Sequence, residues 1–131
     1  MQSISLTQLA EERLAAARDS NNGRASATIF GGREHDMRQT LIALASGHAL
    51  NEHESPGEAS LQVLSGEVRI SAGEESWSGL AGDYLVIPPL RHDLQAPPRW
   101  AKTPRVAQLR PARNDGRYWP TGDLDHLMAA A

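Results

Sequence analysis

From Arg24 onward the chain breaks into short apolar or alternating runs separated by Gly, Pro, Asn and Ser, and few folds accept that texture. Runs so short, bounded by turn residues, read as strands rather than helices. The expected strands are residues 25–30, 37–45, 60–64, 67–71, 76–80, 84–87, 92–95 and 105–109. Ser65-Gly66, Ala72-Gly73 and Ala81-Gly82 supply turns between them. A set of many short strands protects its edges by stacking into a sandwich or closing into a barrel, so the expectation is an all-β body.

The segment before this body is different. Ser5 to Arg18 is rich in strong helix formers, with Leu6, Ala10, Leu14 and Ala17 recurring on one face. Ser5 followed three places on by Gln8 fits a capping box, and Asp19-Ser20-Asn21-Asn22-Gly23 ends the run with turn residues. One amphipathic helix is therefore expected, covering apolar surface of the body or of a second subunit. At the far end, a short helix is expected over residues 123–131 after Thr121-Gly122. The division is one domain over 1–131: helix and linker at 1–23, strand-rich body at 24–110, tail at 111–131.

A chain of 131 residues and 14.2 kDa suits one core, and with no cysteine there are neither disulfides nor thiolate metal ligands. A net charge of −3 lacks the basic footprint that nucleic-acid binding requires, so no nucleic-acid partner is expected. The first residues show no signal-peptide pattern and no later run is long and apolar enough to span a bilayer. The expected setting is cytoplasmic, without a membrane partner.

Two segments carry a more specific signal. The first runs from Gly47 to Gly66 and includes His53, Ser55, Glu58 and Leu64-Ser65-Gly66-Glu67. The second, Gly82-Asp83-Tyr84-Leu85-Val86-Ile87-Pro88-Pro89-Leu90-Arg91-His92, has a Gly-Asp pair, a proline and then a histidine. In order and spacing they resemble the two motifs of the cupin superfamily, over roughly residues 37–109. The resemblance implies a cupin double-stranded β-helix, a jelly-roll-like barrel, here with one N-terminal α-helix. Small cupins of this kind commonly form a homodimer.

The resemblance also implies a divalent first-row transition metal, Fe, Mn, Ni, Cu or Zn, held by two histidines and a glutamate of the first motif and a histidine of the second. This sequence keeps His53 and His92 but has Ser55 at the second histidine position and Ala59 at the glutamate position. Strand alternation sends Ala59, Leu61 and Val63 inward and Ser60 and Gln62 outward. Glu58 has the outward parity, and it substitutes as a ligand only if Ser55-Pro56-Gly57 breaks the strand before it. His92 shares the inward parity of Leu94 and Ala96. His53, His92 and Glu58 are the candidate metal set, with Gln62 or Gln39 as other possible donors, and the sequence does not choose among them.

Two functions from different classes follow. The first is a binding module for a small-molecule ligand, with His53, His92 and Gln39 offering hydrogen bonds beside an apolar lining of Leu61, Val63, Leu94 and Leu44 or Ile42. The second is a metal-dependent oxygenase or isomerase using His53, His92 and a nonstandard third ligand. A third reading makes the N-terminal helix and tail an assembly device. His35, His48 and His126 are expected in solvent, and Arg91 either faces solvent or meets an anionic ligand.

Overall fold

The structure, a computed structural model, describes residues 1–54, 58–87, 91–98 and 124–130, the last stretch as backbone alone. Helix α1 spans Leu6–Asp19. Its first turn is capped by Ser5, whose hydroxyl accepts the Gln8 N–H at 3.3 Å. The reciprocal half of the expected box does not form, because Gln8 Nε2 donates one turn onward to Glu12 Oε1 at 3.1 Å. Ala10 and Ala17 are the buried positions, and such short side chains let the helix lie close to the sheet beneath it.

The strands found among the described residues are β1 (Arg24–Phe30), β2 (Met37–Leu44), β3 (Ala49–His53), β4 (Glu58–Ser65), β5 (Glu67–Ala72), β6 (Glu75–Leu80), β7 (Tyr84–Ile87), β8 (His92–Gln95) and β9 (Leu124–Ala130). They form two sheets, of order β1-β2-β9-β4-β7 and β3-β8-β5-β6. The second is antiparallel throughout. In the first, β1 on β2 and β4 on β7 are antiparallel, whereas β9 is parallel to both β2 and β4. The all-β body with one helix is as expected, but the strands pair as two open sheets and do not close into a barrel among the described residues. The strand expected at 105–109 lies outside the described residues.

The expected helix at the end of the chain is corrected: Leu124–Ala130 is strand β9, at the centre of the five-stranded sheet. Leu, Met and Ala favour helix by less than about 1 kcal/mol per residue. Pairing on both sides satisfies backbone groups of β2, β4 and β9 together, and this long-range gain overrides the local preference. His126 accordingly sits in a central strand, with Gln39 and Ser60 as its Cα partners.

Parity along the strands defines two layers of core. Between the sheets, Ile42, Leu44, Ala59, Leu61, Val63 and Ile87 from the first sheet meet Val68, Ile70 and Leu94 from the second. On the opposite face of the first sheet, Leu41 and Ala43 pack with Ala10 and Ala17 of α1. The unbroken run Leu41-Ile42-Ala43-Leu44 is thus buried on both faces of one strand. Beyond the reach of α1, Phe30, Met37, Tyr84 and Val86 remain exposed. No helix among the described residues is long and apolar enough to cross a membrane.

Candidate functional site

At one end of the space between the sheets, β3 runs out at His53 and the chain re-enters the other sheet at Glu58. At the same end β7 stops at Ile87, and the chain crosses back to begin β8 at His92. His53 and His92 are Cα partners in the antiparallel β3–β8 pair. Their rings meet edge to face, with centroids 4.4 Å apart and planes inclined by 62°.

The two histidines reach this contact by different routes. His92 follows simple alternation: it shares a face with Leu94 and Ala96 and is 1% exposed. His53 needs an irregularity. Leu50 packs against the inter-sheet core, and three residues on, an undistorted strand would turn His53 to the other face. The register shift between Leu50 and His53 removes that conflict and leaves His53 half-buried against His92.

The tautomer of His53 follows from its backbone partner. Its Nδ1 lies 3.0 Å from the Asn51 carbonyl oxygen, which can only accept, so Nδ1 carries the hydrogen. In the neutral ring Nε2 then holds the lone pair and is available to a metal or to a donor on a ligand. Beside the pair, Arg91 Nε donates to Glu52 Oε1 at 2.8 Å, with Glu54 Oε2 4.0 Å from Arg91 Nη1. These are the residues adjoining each histidine in sequence, and the ion pair ties the ends of β3 and β8 together. Opposite charges beside each candidate histidine, Glu52 and Glu54 around His53 and Arg91 before His92, were a signal available in the sequence.

The remaining candidates separate. Leu61, Val63 and Leu94 are fully buried members of the apolar cluster, so they fill the space between the sheets rather than line an opening. Glu58 is the first residue of β4, on the face of Ser60 and Gln62 and opposite to that of Leu61. Gln39 lies on β2 with the parity of Leu41 and Ala43, the face covered by α1, which puts it across the sheet from the histidine pair. Ser55 lies outside the described residues. Asp83 of the Gly82-Asp83 pair serves the fold, since its Oδ2 accepts the Leu80 N–H at 2.8 Å and closes the turn between β6 and β7. His35 stacks on Phe30 with ring centroids 4.6 Å apart. A separate cleft of about 440 Å³ opens at the other end of the sandwich, where Leu14 and Arg18 of α1 face Leu44, Glu67 and Pro98.

The described residues contain no group of three His, Cys, Asp or Glu side chains arranged to hold a metal ion. Two imidazoles fit a first-row divalent metal in chemistry, but a stable site takes at least one more protein donor.

No protein-family model matches this sequence, and no curated protein matches it. Among solved structures, the chain is similar to the crystal structure of the conserved SPY1581 protein of unknown function from Streptococcus pyogenes. The two share 28% identity and a TM-score of 0.53, over 60% of this chain and 68% of that one.

Proposed function

We propose that this chain is a cupin-type β domain that binds a small polar molecule where His53 and His92 meet. The observation that carries this reading is the ring contact itself. The two segments that resemble cupin motifs contribute one histidine each, and these lie together at an end of the interior. One ring is buried and the other half-exposed, so the pair spans from solvent to the apolar core. With Nε2 of His53 as an acceptor, the site selects ligands that present a hydroxyl, amide or protonated amine.

The test is a titration with a panel of small hydroxy acids, amides and amines, followed through the histidine ring resonances by NMR. Binding should move the His53 and His92 signals together and leave His35 in place. A panel that shifts neither ring, or shifts them equally with His35, sinks the proposal.

A second reading, a metal-dependent enzyme of the oxygenase or isomerase class, is favoured by one specific feature. The Asn51 carbonyl fixes His53 in the tautomer that metal-ligating histidines adopt when their other nitrogen donates to a backbone carbonyl. A bound divalent metal would supply Lewis acidity and open coordination positions for substrate. His53 and His92 would hold it, with the third ligand coming from elsewhere in the chain.

A further inference from the structure

We infer that the cleft at the far end of the sandwich from His53 and His92 is a second binding site, for a dipeptide with aliphatic side chains and free termini. The cleft measures about 440 Å³, within the range of roughly 300–1,000 Å³ over which proteins enclose small organic molecules. Its position is independent of the histidine pair. It opens where β2 ends at Leu44, where β4 turns into β5 at Gly66, and where the chain leaves β8 through Ala96. The C-terminal half of α1 walls it with Leu14 and Arg18.

The floor of the cleft is apolar. Leu44 and Ala96 line it and also belong to the core between the sheets, so the opening reaches the inter-sheet interior from its end. Leu14 and Leu80 extend this surface. Set against it are two charges of opposite sign from different elements: Arg18, exposed near the end of α1, and Glu67, half-buried at the start of β5. Among the described residues the ion pairs are those of Arg91 with Glu52 and Glu54, so Arg18 and Glu67 share the cleft without pairing to each other.

These features select one class of ligand. A molecule that settles on the floor expels water from beside both charges, and each then needs a partner. A purely apolar ligand leaves both unanswered, and a simple anion or cation leaves one. A carboxylate meets the guanidinium of Arg18, which can donate two parallel hydrogen bonds to it, and an ammonium meets the carboxylate of Glu67. Because Arg18 and Glu67 do not reach each other, a ligand whose own charges are separated suits them better than a free amino acid, which carries both on one carbon. A dipeptide holds its termini apart by the length of about two residues, ~7 Å when extended. Its aliphatic side chains are then left for Leu14, Leu44 and Leu80.

The test is a calorimetric titration of the full chain with leucyl-leucine, N-acetyl-leucyl-leucine and leucyl-leucine amide, with circular dichroism of each variant as the folding control. Leucyl-leucine should bind at one per chain, and each blocked form about tenfold or more weaker, the scale of one lost charge-assisted hydrogen bond. In Arg18→Gln the free and amidated peptides should bind alike, and in Glu67→Gln the free and acetylated peptides should. His53→Ala should leave the affinity unchanged. A chain that binds no leucyl-leucine, or binds the blocked forms as tightly, overturns the proposal. Variants of Arg18 and Glu67 that weaken all three peptides equally, which is what a merely structural role gives, also overturn it. Binding that is lost in folded His53→Ala and kept in Arg18→Gln places the peptide at the histidine end and overturns the assignment to the cleft.

Discussion

Arg91 Nε donates to Glu52 Oε1 at 2.8 Å, joining residues 39 apart in sequence at the positions that adjoin His92 and His53. Both side chains are more than half exposed, so the pair contributes little to stability, about 0.2–1 kcal/mol in water and less in high salt. Arg91→Ala should therefore shift the urea midpoint only slightly. Its larger effect should fall on the histidines: with the strand ends less restrained, the His53 ring resonance should broaden or move. An unchanged His53 resonance in Arg91→Ala would separate the ion pair from the site.

The unequal burial of the two histidines predicts unequal costs. His92 is 1% exposed within the inter-sheet core, and His92→Ala should destabilise the fold by roughly 1–3 kcal/mol, mostly through the void it leaves. His53 is half-buried, and His53→Ala should cost roughly 0.5–1 kcal/mol. Chemical denaturation of both variants measures the difference, and equal costs would contradict the packing described for β8.

Gly79 in β6 is buried under the indole of Trp77, and a Cβ at this position would collide with three atoms of that ring. Gly79→Ala forces the indole off its place against the inter-sheet core, at a cost of about 1–3 kcal/mol. Lower thermal stability together with a red-shifted tryptophan emission is the expected outcome. Gly23 presents a related case at the end of α1: it has φ of 65°, and the His48 ring lies where a Cβ would be. Gly23→Ala combines backbone strain with that clash and should destabilise comparably.

Strand β9 pairs on both sides, so its backbone tolerates no missing donor. Leu127 has Thr40 on one side and Leu61 on the other, and Leu127→Pro removes a ladder hydrogen bond from the middle of the sheet. The expected loss is about 3 kcal/mol or more, a large fraction of the roughly 5–15 kcal/mol that holds a domain folded, and it should lower the melting temperature strongly. Native-like circular dichroism and a normal melting transition in Leu127→Pro would refute the central placement of β9.

The places where the sequence predicts the fold, and where it does not, divide by the range of the interactions. Helix α1, the turn at Ser65-Gly66 and the strands that it joins are legible because capping and alternation are local properties. The inward parity of Ala59, Leu61 and Val63 is legible for the same reason. Strand β9 is not, because its pairing is parallel and made with β2 and β4, from which it is far removed in sequence, while its own residues favour helix. The expectation of Gln39 beside the histidines fails because a strand buried on both faces gives no parity signal. His53 and His92 are readable from motif spacing, but the register shift that turns His53 toward His92 leaves no mark in the sequence.

The position of β9 has a consequence for how the molecule is assembled. Until the segment 124–130 arrives, β1-β2 and β4-β7 are two separate hairpin-like pieces with unsatisfied inner edges. The ladder that joins them links positions as distant as Met37 and Leu124, so the loop-closure entropy must be met before the pairing returns anything. The rate-limiting event in folding should be the insertion of this strand, and the edges of β2 and β4 are the surfaces on which an unfinished chain would capture a neighbour.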